Sequence, residues 1–174
     1  MILSEFFNVV AELKKTGRKG WKEKVGIERP ESVADHSYGV AIMAMVFSDM
    51  AKLDTGKILR MALLHDLAEA VTGDFVPDEI PKENKRIVED QAMGEILSKL
   101  PHELASEYVL LWRDYADCKS PEAALLHEVD KLEMAVQAAK YFGEGFPKDR
   151  LVEFLESSRR GIKSKALLDV LDTL

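Results

Sequence analysis

Apolar positions recur at three- and four-residue intervals almost throughout the chain. No stretch alternates apolar and polar residues over a strand's length, so the pattern predicts an all-α protein. The first amphipathic segment covers residues 2–15, with Phe6, Phe7, Val10 and Leu13 toward one side. A basic, glycine-containing loop follows, TGRKGWKEKVGIERP. Ser32 then starts a long helix that runs to about Lys52. SVAD has the form of a capping box, with the Ser32 side chain on the amide three residues on and Asp35 reaching back. Thr55 is expected to cap the next helix, which continues to Thr72 and stops at Gly73, a natural left-handed residue after a C-terminus. Pro81 opens a fourth helix over residues 82–100, and Pro101 opens a fifth. Ser120-Pro121 pairs an N-cap with a proline at the first helical position, starting a sixth helix that reaches about Phe142. Two short helices are expected on either side of RRGIKS. No internal repeat or linker interrupts the pattern. Residues 1–174 therefore read as a single domain, a bundle of six to eight helices.

Composition narrows the class. Hydrophobic residues make up 47% of the chain, enough for a sizeable core in one domain. No apolar run is long enough to span a membrane, and the N-terminal segment lacks the uninterrupted core and cleavage site of a signal peptide. Cys118 is the single cysteine, which excludes an internal disulfide framework and a Cys-rich zinc site. Together these point to the cytoplasm and to no membrane partner. The formal net charge of −7 argues against a nucleic acid polymer as partner, since that affinity comes mostly from Lys and Arg on phosphates. A ligand carrying phosphate would need something other than bulk charge to hold it, and a bound metal ion is one candidate.

The candidate chemistry lies in polar residues on apolar helices. The helix over residues 57–72 is apolar almost all round, which predicts a central position, yet it carries His65, Asp66 and Glu69, with Asp74 past its end. Glu69 is four residues from His65 and three from Asp66, so it shares their face. His36 has Val33, Val40 and Met43 as helical neighbours and faces inward; Asp130 lies between Leu126 and Met134 and does the same from the sixth helix. Taken singly, each is a hydrogen-bonded core histidine or half of an ion pair. Taken together, two histidines and two aspartates would each need a basic partner, and few inward-facing Lys or Arg are visible on these helices. One divalent cation satisfies all four. Imidazole with carboxylate suits a first-row ion, Mn, Fe, Co or Zn, with open positions for water or substrate.

Other polar residues are assigned more ordinary places. His127 and Glu128 read as a solvated helix edge, and HEVDK ends in Lys131, so it is not a zinc-protease HExxH. His102 is expected to be exposed. Glu133 is an outer partner of the metal site or, more in keeping with its charge, a surface or ion-paired residue. Cys118 has no adjacent histidine and reads as a small buried or partly exposed residue. The basic loop has two readings. It is a surface loop anchored by Trp21, or a pocket wall in which Trp21 packs on a base or sugar and Arg18 pairs with phosphate.

At His36, His65-Asp66 and Asp130 the sequence resembles the HD-domain metal-dependent phosphohydrolases, whose pattern is H…HD…D. The words RPESVADHS, ALLHDLAEAVTGD, IPKENK and EVDKLEMAVQA, in that order, resemble its 5′-deoxynucleotidase branch, over about Gly17 to Tyr141. The resemblance implies an all-α HD fold, a homodimer, and hydrolysis of a nucleoside 5′-monophosphate, typically a deoxyribonucleotide. It makes His36, His65, Asp66 and Asp130 the metal ligands and Glu69 and Asp74 the acidic residues beside the metal. In some members those two acids, with the main-chain carbonyl matching Phe75, hold a second cation such as Mg. The segment Asp74, Phe75, Val76 and Pro77 matches a substrate-contacting loop, and Trp21 matches a tryptophan near the nucleotide. Some members carry arginine directly before that tryptophan to orient phosphate; here the position is Gly20, with Arg18 and Lys19 close by. In the implied reaction Glu69 orients or deprotonates the attacking water. Asp74 protonates the leaving 5′-oxygen, or the two acids share the second cation. The competing readings are an HD phosphohydrolase for a cyclic phosphodiester or nucleoside triphosphate, and a non-catalytic regulatory module with a structural metal.

Overall fold

The structure, a computed structural model, describes residues 3–76 and 79–174. Among these lie nine α-helices, eight of seven residues or more and one single turn, with no strand. They are α1 (Leu3–Leu13), α2 (Val33–Ala51), α3 (Thr55–Leu64), α4 (Glu69–Thr72), α5 (Lys82–Leu97), α6 (His102–Ala116), α7 (Pro121–Gly143), α8 (Lys148–Gly161) and α9 (Lys165–Leu171). No helix among the described residues is long and apolar enough to cross a membrane.

Local chemistry sets most boundaries as expected. The Ser32–Asp35 capping box is complete in both directions, and the Ser120 hydroxyl accepts the Ala123 amide ahead of Pro121. One cap differs. Asp54, not Thr55, starts α3, its carboxylate accepting the Lys57 amide; a charged acceptor there also complements the helix dipole. Gly73 takes a positive φ of 77° as predicted, but its ψ of 166° is extended rather than left-handed helical.

The larger difference is that the helix predicted over residues 57–72 is not continuous. Between α3 and α4 the chain keeps its helical sense but tightens to three-residue hydrogen bonds, Leu67 N to Leu64 O at 3.1 Å and Glu69 N to Asp66 O at 3.0 Å. No glycine or proline marks this break, so the sequence carried no punctuation for it. Nor is the segment buried all round: Leu63 and Val71 are exposed. In α1 the inward face is Phe6, Val9 and Leu13, while Phe7 and Val10 face solvent.

The long helix α7 is the spine, packing on α2, α3, α6, α8 and α9. One apolar cluster fills the space between α2, α3, α7 and α9 around Val40, Ile58, Leu126 and Leu132. A second joins α1, α5 and α6 to the α3–α4 turn through Leu67, Met93 and Trp112. A third holds the basic loop to α7 and α8 through Trp21, Tyr141 and Leu151. The loop itself is pinched shut at its base: the Arg18 amide donates to Glu31 O at 3.0 Å and the Val33 amide to Thr16 O at 2.8 Å. It contains a π-helical turn, Trp21–Val25, that the periodicity did not reveal.

Candidate active site

His36, on the first turns of α2, is fully buried, and its Nδ1–H donates to the Glu133 carboxylate at 2.5 Å. His65 closes α3 and is 3% exposed; its Nδ1–H donates to the Ala62 carbonyl at 2.7 Å. Both rings are thus fixed through Nδ1, which turns Nε2 of each toward the site. Neither Nε2 has a hydrogen-bond partner among the described residues. Both point at carboxylates instead. His36 Nε2 lies 3.2 Å from Asp130 Oδ1 and 3.6 Å from Asp66 Oδ2, and His65 Nε2 lies 3.2 Å from Asp66 Oδ2. Ligand atoms of His36, His65 and Asp66 all fall within 4.8 Å of one another. Asp130 adjoins this group through His36, so the four residues singled out from three separate segments lie side by side.

The tightened turn explains how His65, Asp66 and Glu69 serve one site. With three residues per turn, side chains at i and i+3 eclipse, so Asp66 and Glu69 stand one above the other. Glu69 is 3% exposed; its Oε1 is 3.7 Å from Lys85 Nζ and its Oε2 has no hydrogen-bond partner among the described residues. Burial, and then the charges of Asp66 and Asp74, push its carboxyl well above the ordinary range. Asp66 goes the other way: burial opposes ionisation, but His65, His36 and Arg18 overcome it and hold the carboxylate low. Asp130 is also held well below its usual value against burial, by Lys131 and His36. For His36, burial and Arg18 act downward, yet the carboxylates of Asp130 and Glu133, one beside each ring nitrogen, prevail and raise it to about 10, so a cation held at Nε2 would displace a proton there.

Two basic residues do reach the aspartates. Arg18 Nη1 is 3.6 Å from Asp66 Oδ2, and Lys131 Nζ is 3.2 Å from Asp130 Oδ2. The expectation concerned inward-facing bases on the helices: Arg18 comes from the loop and so lay outside it, whereas Lys131, on α7 beside Asp130, was overlooked. Neither cation serves the two imidazole lone pairs. Those orphaned acceptors, with two carboxylates each 18% exposed toward a cavity, make a donor set that fits a first-row divalent ion with open positions.

The cavity, about 900 Å³, opens above this centre. Arg18, Asp66, Glu69, Asp74, Phe75, Val76 and Asp130 line it, as does Trp21 at its edge. Pro77 lies outside the described residues. Trp21 is only 1% exposed: its indole N–H donates to Glu31 at 2.8 Å and its ring stacks on Phe154 with centroids 4.1 Å apart. It anchors the loop as well as bordering the cavity, and the half-buried Phe154 beside it was not anticipated. Of the two basic candidates before Gly20, Arg18 lines the cavity. Lys19 instead donates its amide to Asp74 Oδ2 at 2.6 Å and pairs its ammonium with Glu79.

Three further side chains are placed by the fold. Glu133 is 6% exposed and paired with His36, which fits its reading as an outer or ion-paired residue and not that of a surface one. His127 is no solvated edge; it stacks on Tyr115 with centroids 4.3 Å apart and lines the cavity. Glu128 caps α9, accepting the amides of Lys163 and Ser164. His102 and Cys118 are exposed.

The chain and its fold have counterparts among known proteins. A model of the HD domain matches residues 10–167, and the chain belongs to the HD-domain family. Within it, human 5′-deoxynucleotidase HDDC2 is 40% identical over 157 residues, covering 90% of this chain and 76% of the human protein. The Dictyostelium discoideum 5′-deoxynucleotidase HDDC2 is 41% identical over 166 residues, covering 89% and 87%. Among solved structures, a conserved hypothetical protein from Pyrococcus furiosus superposes with a TM-score of 0.76 at 29% identity, over 97% of this chain and 96% of that one. A Pyrococcus horikoshii protein does so with a TM-score of 0.73 at 38% identity, over the same shares.

Proposed function

We propose that this HD-domain chain is a metal-dependent 5′-deoxynucleotidase that cleaves a nucleoside 5′-monophosphate to nucleoside and inorganic phosphate. The observation that carries it is the pair of buried, orphaned imidazole Nε2 atoms facing Asp66 and Asp130 under a cavity that also contains Glu69. The kinship with 5′-deoxynucleotidases supports the substrate class. His36, His65, Asp66 and Asp130 would hold a divalent transition ion, Mn, Co, Fe or Zn. Such an ion, when bound, acidifies water and draws charge from a phosphoryl oxygen.

The chain's own residues do the rest. Arg18 neutralises and orients the phosphate; its guanidinium, surrounded by Asp66, Asp74 and Asp130, stays charged at any working pH. Glu69 orients the attacking water through its free Oε2 and takes the proton that water loses as its oxygen bonds to phosphorus. Asp74, whose carboxyl is held at the rim by the Lys19 amide, gives a proton to the 5′-oxygen as that oxygen leaves phosphorus with the bonding electrons. The Lys85 ammonium already supplies positive charge beside Glu69, which favours one ion at this site over a second cation shared by Glu69, Asp74 and Phe75.

A panel of nucleoside mono-, di-, tri- and cyclic phosphates, assayed for phosphate release with several divalent ions and with chelator, tests the reading. Turnover of deoxyribonucleoside 5′-monophosphates that chelator abolishes is expected. A metal-replete sample that hydrolyses no mononucleotide, or prefers cyclic or triphosphate substrates, overturns it.

A further inference from the structure

Gly39 stands three residues after His36 on α2, on the same helical face. Its φ is not in the left-handed region, so the backbone does not need a glycine there. A mid-helix glycine is destabilising relative to alanine, and α2 carries that cost in its first half. The reason is space. A Cβ on Gly39 would lie 2.8 Å from Glu133 Oε1, 3.1 Å from its Cγ and 3.3 Å from its Cδ. These three atoms span the arm of the side chain, so turning the carboxylate alone would not relieve the clash. Glu133 comes from α7, one turn past Asp130, and is packed at 6% exposure with its Oε2 on His36 Nδ1. A second carboxylate near His36, Glu31, accepts the Trp21 indole N–H through Oε1.

We propose that Gly39 and Glu133 form one positioning device. The missing side chain opens a slot in α2, the glutamate arm lies in it, and its carboxylate holds the His36 Nδ1–H so that Nε2 is presented to Asp66 and Asp130. An outer carboxylate of this kind fixes tautomer and ring orientation and strengthens the ligand; losing it costs roughly 10–100-fold in metal affinity. The proposal rests on the reading of His36 as a metal ligand, and the experiment separates the two.

The full chain, stripped with chelator and dialysed, is titrated with Co²⁺ and followed by d–d absorption. Gly39→Ala and Glu133→Gln are each expected to weaken Co²⁺ binding by about 10–100-fold, with the isosteric Glu133→Gln at the lower end because its amide oxygen still accepts a weaker bond. The double variant is expected to bind no more weakly than the worse single variant, since both remove one interaction. Metal-free melting reports fold integrity. If Gly39→Ala does not fold, Glu133→Gln carries the expectation alone. His36→Ala is the control. Variants of Gly39 and Glu133 that bind Co²⁺ within twofold of wild type while His36→Ala loses it overturn the positioning device and leave the ligand reading intact. His36→Ala binding as tightly as wild type overturns the ligand reading itself.

Discussion

The proposed metal centre and the rim of the cavity are built on opposite terms. In the centre, side chains come from α2, α7 and the α3–α4 turn, and each imidazole is pinned through its inner nitrogen by a buried acceptor. At the rim, the groups come from the loop bearing Arg18 and Lys19 and from Asp74 to Val76, held by main-chain bonds and by the Lys19–Glu79 pair, of which Lys19 is 35% exposed. Helices hold chemistry within tight tolerances, whereas loops adapt to what they bind. Substitutions in the centre should therefore abolish chemistry, and substitutions at the rim should alter substrate affinity.

The largest effect is expected from Asp130→Asn. It removes charge from a position 3.2 Å from His36 Nε2 and should weaken Co²⁺ binding and turnover by more than ~100-fold, beyond the cost of losing an outer partner. Metal titration and phosphate-release assays measure both, and retention of either to within tenfold would dissolve the contrast between centre and rim. Glu69→Gln comes next. It keeps size and Co²⁺ affinity but removes the proton acceptor, so kcat should fall by roughly 10²–10⁴-fold, the usual contribution of general acid–base catalysis. A variant with wild-type kcat would take Glu69 out of the reaction.

How far the sequence announced each region follows the same division. The helical periods exposed His36, His65, Asp66 and Asp130 because an inward polar residue on an apolar face stands out against its neighbours. Glu69 followed from spacing alone. Glu133 was left between two readings and His127 was misplaced for the opposite reason. Charged or titratable residues on a long helix are usually solvated, and only the fold shows that Glu133 lies across from Gly39 and His127 against Tyr115. Rim contacts were least legible. A loop has no period, so Arg18 and Lys19 are alike in sequence, and it took the pinched loop base to separate them.

That separation is the next comparison to sharpen. Arg18→Met should raise KM by about tenfold or more with a smaller change in kcat, the value of one charge-assisted contact to phosphate. Lys19→Met breaks a solvent-exposed pair and leaves the main-chain bond to Asp74, so KM should change by less than ~5-fold, in line with an exposed ion pair. Steady-state kinetics on one deoxyribonucleotide decide it. Equal effects would mean that both side chains reach the phosphate.

The smallest expected effect concerns Glu31, which joins loop to core by accepting the Trp21 indole N–H. Burial, then the neighbouring Glu133 charge, pushes its carboxyl up to about 7 against the opposing pull of Trp21. In the unfolded chain it titrates near 4.5. The folded state therefore holds this proton more tightly, which favours folding at low pH. The advantage is lost as pH rises from 4.5 toward 7, and above 7 the buried charge remains a fixed cost. Glu31→Gln removes the titration, so its unfolding free energy relative to wild type should improve by on the order of 2 kcal/mol between pH 5 and pH 8. Denaturant melts with chelator present measure the difference, which cancels the other titrating carboxylates common to both proteins. A difference that stays flat across this range would mean that solvent reaches Glu31 freely, and that the loop is fastened to the core by the Trp21–Phe154 stack instead.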